Sequence, residues 1–192
     1  MVYVVEALGE VSVTKLEKIL YLADLEHFHV TGTTLTGARW VRYKLGPMAK
    51  AVMPSTRAMD GHEVRVSSEQ RGPYESRIYR PGPSPRFRPD LTREERESLD
   101  QVIALVRDLT VRQAIDLACA TGPMRFIQML ERQRGAKLMD IELPFELDDA
   151  QVAEAATIEP TAGADERRAF KDREFGRIRD LEEAVLLAAA SG

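Results

Sequence analysis

One cysteine, three histidines and one tryptophan are all that 192 residues hold of the types that most often anchor disulfides, metals and stacked ligands. With Cys119 alone, neither an intramolecular disulfide nor a cysteine-cluster zinc site can form, and a reducing, cytoplasmic setting is expected. Long apolar runs are missing too. The longest, Ala184 to Ala190, has seven residues, against about 20 for a membrane-spanning helix. Met1 to Glu6 has no basic stretch ahead of its apolar residues and does not read as a signal peptide. Cationic charge is not in excess: 27 Lys and Arg stand against 31 Asp and Glu, for a net charge of −4. Broad nucleic-acid affinity needs a cationic surface, so it is not expected.

Catalytic signatures are absent from the sequence as well. It contains no G-x-G-x-x-G, no G-x-x-x-x-G-K-[ST] and no G-x-S-x-G, so dinucleotide binding, a phosphate loop and a nucleophile elbow are not signalled. His27 and His29, two apart on a helix, point to roughly opposite sides and cannot hold one metal together. Asp24 and His27 share a face, but no partner pair such as H-E-x-x-H accompanies them. Cys119, within Ile115-Asp-Leu-Ala-Cys-Ala120, reads as a small buried hydrophobe. No catalytic residue, metal or cofactor is assigned, and an enzyme is not expected.

What the chain does have is core material and uneven charge. Apolar residues make up 44%, enough for a core, and the length suits one domain with an appendage. Residues 39–88 hold eleven Lys and Arg against four acids, whereas residues 138–166 hold nine acids and no Lys or Arg. Either the two segments face each other or simply stay solvated, or the basic one meets an acidic partner while the acidic one tunes specificity.

Helix signals dominate. Thr14-x-x-Glu17 predicts a capping box, with Leu16, Ile19, Leu20 and Ala23 on one face, Leu22, Leu25 and Phe28 on a second, and Gly32 as the stop. Arg39 to Lys44 alternates as a short strand, and Gly46-Pro47 predicts a helix start, with Pro54 breaking that helix. His62 to Ser67 and Glu75 to Arg80 predict two strands around a loop over 68–74, and residues 81–89 a proline-stiffened connector. Capping boxes at Thr92 and Thr110, and Gly122-Pro123, predict three further helices, the last ending at Gly135. Asp148 and Asp149 suit the start of a short helix to Thr157, and a long amphipathic helix is predicted from about Asp165 to Ala190. The expected fold is mainly α with a small antiparallel β-sheet, an α+β arrangement. The expected organisation is a compact domain over 1–135, an acidic irregular segment and linker over 136–164, and a C-terminal helix within 165–192.

One stretch carries a resemblance. Lys15-Leu-Glu-Lys-Ile-Leu-Tyr-Leu-Ala-Asp24 is followed by Leu25-Glu-His-Phe28, Thr31-Gly32, Leu35-Thr-Gly37, Arg42-Tyr43 and Leu45-Gly-Pro47. In order and spacing this resembles the Panacea domain, the family of SocA-type antitoxins. The motif residues are Lys15, Leu16, Lys18, Leu20, Tyr21, Ala23, Asp24, Gly32, Gly37, Gly46 and Pro47, and their expected role is mostly structural.

The resemblance implies an antitoxin that binds a toxin encoded by a neighbouring gene. Family members can also deliver the toxin to a protease as adaptors, and no enzymatic activity is implied. For Trp40, Arg42 and Tyr43 the order of expectation is core packing, then a protein interface, then base stacking. Charge and residue type nominate Arg39, Arg42, Tyr43, Arg65, Arg77 and Tyr79 as the exposed toxin-binding anchors. The C-terminal helix either packs back on the domain, pairs with a second copy or grips the toxin. Self-repression through operon DNA ranks third, because the Thr110 to Ala120 helix carries just Arg112.

Overall fold

A computed structural model describes residues 1–71, 74–83 and 90–159. Residues 84–89 of the expected connector, the tail of the linker and the helix expected from Asp165 lie outside the described residues. The order is α1 (Val2–Leu8), β1 (Val11–Ser12), α2 (Val13–Thr31), β2 (Trp40–Tyr43), β3 (Gly46–Ala49), α3 (Val52–Met59), β4 (Val64–Arg71), β5 (Tyr74–Pro81), α4 (Arg93–Val106), α5 (Val111–Cys119), α6 (Gly122–Arg134) and α7 (Asp149–Ala156). The fold is mainly α with two small antiparallel sheets, as expected.

Helix α2 is the centre. Both of its predicted apolar faces pack, with Leu16, Ile19, Leu20, Ala23, Leu22 and Leu25 all buried. A helix apolar on two sides must be surrounded, and α2 packs against α4, α5, β1, β3 and β5. Its start differs from expectation. The cap is Ser12, whose hydroxyl accepts the Lys15 N–H, and not Thr14. Ser12 ends β1 in extended conformation, which is what an N-cap requires, whereas Thr14 is already helical. Gly32 ends α2 at φ 75°, in the left-handed conformation. The capping boxes at Thr92 and Thr110 form as expected, and Asp148 with Gln151 makes a third.

Gly46-Pro47 opens a strand and not a helix. Gly46 sits at φ 86°, a conformation no helix start uses, and it closes a two-residue turn from β2 into β3. Pro47 stands opposite Arg42, whose own N–H and C=O point away from β3. That pair is therefore not hydrogen-bonded across the ladder, and the missing proline N–H costs nothing. Pro54 does not break a helix either. It falls in the first turn of α3, where a proline is tolerated.

In the larger sheet, β5 lies between β1 and β4. The ladder from β4 to β5 runs from Val64↔Pro81 to Arg71↔Tyr74, so both strands reach further into the predicted loop than expected. In the smaller sheet, β2 pairs with β3 on one side. On its other side it pairs with residues 140–143. Arg42 N–H donates to the Ile141 carbonyl at 2.8 Å, Asp140 N–H to the Arg42 carbonyl at 2.9 Å, and Leu143 N–H to the Trp40 carbonyl at 2.9 Å. The irregular acidic stretch is thus an added edge for β2, with Leu143 buried in the core and the Phe145 ring edge-on to Tyr21 and Phe28.

Candidate functional site

The family-like stretch on α2 reads K-x-x-K-x-x-Y-x-x-D through Lys15, Lys18, Tyr21 and Asp24. Each polar group ties α2 to a different part of the fold. Lys15 Nζ donates to the carbonyls of Arg107 (2.9 Å) and Leu109 (2.6 Å), at the end of α4. A cation there also suits the negative end of that helix dipole. Lys18 is 1% exposed, and its Nζ donates to the Pro47 carbonyl at 2.5 Å, fixing β3. Burial holds the Lys18 ammonium below its ordinary pKa, partly offset by Glu17.

Tyr21 Oη and Thr121 Oγ1 share a hydrogen bond at 2.7 Å, and the Thr121 hydroxyl also donates to the Ala118 carbonyl, at the junction of α5 and α6. Asp24 accepts the Thr36 N–H (2.7 Å), the Thr36 hydroxyl and Trp40 Nε1 (2.6 Å). It thereby holds the loop from Gly32 and the start of β2. Burial raises the Asp24 carboxyl above its ordinary 3.8, against these donors. Replacing Asp24 with Asn turns one acceptor into a donor facing Thr36 or Trp40. Such a buried mismatch costs about 1–3 kcal/mol. Urea unfolding is expected to show that loss, and an unchanged midpoint would show that the loop does not need the carboxylate.

The glycines of the stretch have matching roles. Gly37 and Gly46 both lie at positive φ. A Cβ on Gly46 would stand 2.8 Å from Cys119 Sγ, so the β2–β3 turn meets α5 at a point with no room for a side chain. Cys119 is buried, and burial raises its thiol pKa. His27 is also buried, with Nδ1 3.2 Å from Ser98 Oγ. Among the described residues no cluster of His, Cys, Asp and Glu is placed to hold a metal ion.

The six nominated anchors do not form one surface. Arg42 and Tyr79 are buried and drop out of it. Arg42 shares a face of β2 with Trp40, by strand alternation, and its Nε donates to Glu131 Oε1 at 3.1 Å. Tyr79 lies on β5, the middle strand of its sheet. Arg65 and Arg77 both belong to the β4–β5 hairpin, but the register puts them on opposite faces. Arg39, just before β2, is exposed and Tyr43 half-buried, and alternation puts both on the same face as buried Val41. Arg39 Nε pairs with Glu142 at 2.7 Å and Lys50 Nζ with Asp140 at 2.9 Å. The basic and acidic stretches therefore do face each other here, through exposed pairs that add little stability.

Sequence reasoning passed over the apolar residues beside them. Leu45 (55% exposed), Ile141 (43%) and Met139 (40%) are three of the four exposed large hydrophobics among the described residues. The pairing of 140–143 with β2 puts Ile141 on the face of Trp40 and Arg42, opposite Tyr43, while Leu45 lies in the β2–β3 turn. No local pattern in the sequence announces their exposure.

Lys15, Lys18, Tyr21 and Asp24 thus make a polar frame that ties the surrounding loops and strands to α2. The chain matches the antitoxin SocA-like Panacea domain over residues 16–123, more than half its length, and belongs to that family. No curated protein and no solved structure matches it significantly. Among the described residues no helix is long and apolar enough to cross a membrane.

Proposed function

We propose that this protein is the antitoxin of a toxin–antitoxin pair and neutralises a toxin, encoded by a neighbouring gene, by binding it directly. Membership of an antitoxin family carries the reading, and the exposed Arg39 and Leu45 with half-buried Tyr43 support it as surface residues of the kind that anchor interfaces. A stable complex buries about 1,200–2,000 Å² in total, with a few aromatic, arginine or apolar anchors supplying most of the affinity. Tyr43 and the exposed Leu45 of the following turn offer an apolar anchor, and Arg39 with its partner Glu142 lies at the rim. In this reading the motif residues on α2 do not touch the toxin. They hold β2 and its turn in place.

The test is rescue of growth. The neighbouring gene is induced with and without this protein, in protease-positive and protease-deficient strains. Rescue in both strains is expected. Rescue confined to the protease-positive strain would mean delivery for degradation. Tyr43→Ala combined with Leu45→Asp is expected to lower toxin affinity at least about 100-fold, a loss of roughly 3 kcal/mol. The circular dichroism spectrum and melting temperature should stay as in the parent. The reverse pair, Arg65→Glu with Arg77→Glu, is expected to keep rescue. If it loses rescue while the first variant keeps it, the toxin sits on the β4–β5 hairpin.

A further inference from the structure

We infer that the outer edge of β2 is a docking site for an extended acidic segment of a partner protein, and that residues 140–143 fill it in the free protein. The inference deepens the antitoxin reading, and rests on it, by naming what the partner presents. Its test uses no toxin, so the two can fail separately. The edge and its cover come from different parts of the chain. β2 lies within the family-matched residues 16–123, and the covering segment lies beyond them. The contacts of that segment describe what the edge selects. Its main-chain bonds to Trp40 and Arg42 read no side chain, so any extended segment can make them. Side chains supply the selection. Asp140 meets Lys50 at 2.9 Å and Glu142 meets Arg39 at 2.7 Å. Leu143, whose N–H bonds the Trp40 carbonyl, is buried in the core. The edge therefore takes an extended segment with two acids, two positions apart, followed directly by a large apolar residue.

The cover is built to come away. Asp140 N–H and Ile141 C=O both bond to Arg42, so two residues of the segment stand against one of β2, which is a bulge. Asp140 lies at φ 59° and, among the described residues, is the only one other than glycine at positive φ. A side chain in the left-handed conformation works against the covered state. In both ion pairs each side chain is more than half exposed, so these pairs hold the segment weakly. Met139 and Ile141 stay 40% and 43% exposed, which leaves Leu143 as the one of the three that gains by docking. Both ends stay fastened when the middle lifts. Glu131 accepts the Leu138 N–H at 3.0 Å, and the Phe145 ring stands edge-on to Tyr21 and Phe28. Residues 139–144 can thus move aside as a loop, and the apolar residue of an incoming segment takes the place of Leu143.

Two measurements on the full chain decide it. The first is hydrogen exchange of the parent protein. The Arg42 N–H faces the covering segment, whereas the Val41 N–H, by alternation, faces β3. Arg42 is expected to exchange at least about tenfold faster than Val41, by local opening of the cover. Equal exchange would mean that the segment leaves only when the whole fold opens, and would overturn the inference. The second uses a labelled peptide with the sequence of residues 138–147, Leu-Met-Asp-Ile-Glu-Leu-Pro-Phe-Glu-Leu, as the probe. Asp140→Lys with Glu142→Lys turns both ion pairs into repulsions and loosens the cover. This variant is expected to bind the peptide at least about tenfold tighter than the parent, read by fluorescence anisotropy. Adding Arg39→Glu and Lys50→Glu restores the pairs with their signs exchanged, and is expected to abolish binding. Equal affinity in the variant and the parent would sink the idea. So would binding that survives the sign exchange, because the peptide would then sit elsewhere.

Discussion

Replacing Glu131 with Gln is expected to lower the stability of the protein by about 3–5 kcal/mol, the usual result of breaking a buried ion pair from one side. Glu131 and Arg42 have side chains only 4% and 9% exposed. The Arg42 guanidinium meets both carboxylate oxygens, donates to the Tyr43 carbonyl, and has no route to water that keeps β2 in place. Glutamine retains an acceptor for the Leu138 N–H but leaves the arginine charge without its counterion. For a protein of this size the loss corresponds to a fall of about 6–20 °C in melting temperature.

The double change Arg42→Met with Glu131→Leu removes both charges and should recover most of that loss, because apolar replacements of similar volume no longer carry a desolvation cost. A double variant as unstable as the single one would mean that the hydrogen bonds, and not the charge, hold the site. The pH dependence has a definite sign. Burial pushes the Glu131 carboxyl up, but Lys137, the Leu138 N–H and Arg42 together hold it below its ordinary 4.5. Its contribution is therefore complete above about pH 4.5 and is lost as the pH falls through the lower, folded-state value. The Gln variant should lack this part of the acid limb in a pH series of urea midpoints.

The second large effect is expected at Gly46. Alanine there meets two penalties: a left-handed backbone at φ 86°, and a Cβ 2.8 Å from Cys119 Sγ. Strain at positive φ costs about 1 kcal/mol and overpacking a tight contact about 1–3 kcal/mol, so a loss of about 2–4 kcal/mol is expected. The two can be separated. Cys119→Ala removes the sulfur, so Gly46→Ala should be milder on that background, by the overpacking part alone. Equal effects on both backgrounds would leave backbone strain as the whole cost. Lys18 Cε lies 3.9 Å from the same point and is in ordinary contact, so it needs no adjustment.

Helices were the readable part of this chain. Their caps at Thr92, Thr110, Asp148, Gly32 and Gly135 are local chemistry, written within four residues. Gly46-Pro47 shows the limit. The same dipeptide at Gly122-Pro123 does start a helix, and the two differ in the conformation of the glycine, which the turn from β2 imposes. Arg42 was half readable. Period-two alternation alone places it beside buried Trp40, which argues against an exposed anchor. What buries it without great cost is Glu131, 89 positions away, and no sequence pattern pairs them. The α2 motif was readable as structure, and Leu16, Leu20, Tyr21 and Ala23 are all buried. The four separate attachments of Lys15, Lys18, Tyr21 and Asp24 were not readable, because each partner is brought in by tertiary packing.

The pairing of β2 with residues 140–143 has a consequence for the newly made protein. Val41 and Glu142 are about 100 residues apart, so on the ribosome the outer edge of β2 waits for its cover. At about 5–20 residues per second that wait lasts roughly 5–20 s. Throughout it, the β2–β3 hairpin has an open strand edge, the kind of surface that captures other chains. The nascent chain can thus meet other extended segments through an edge that the finished protein no longer presents.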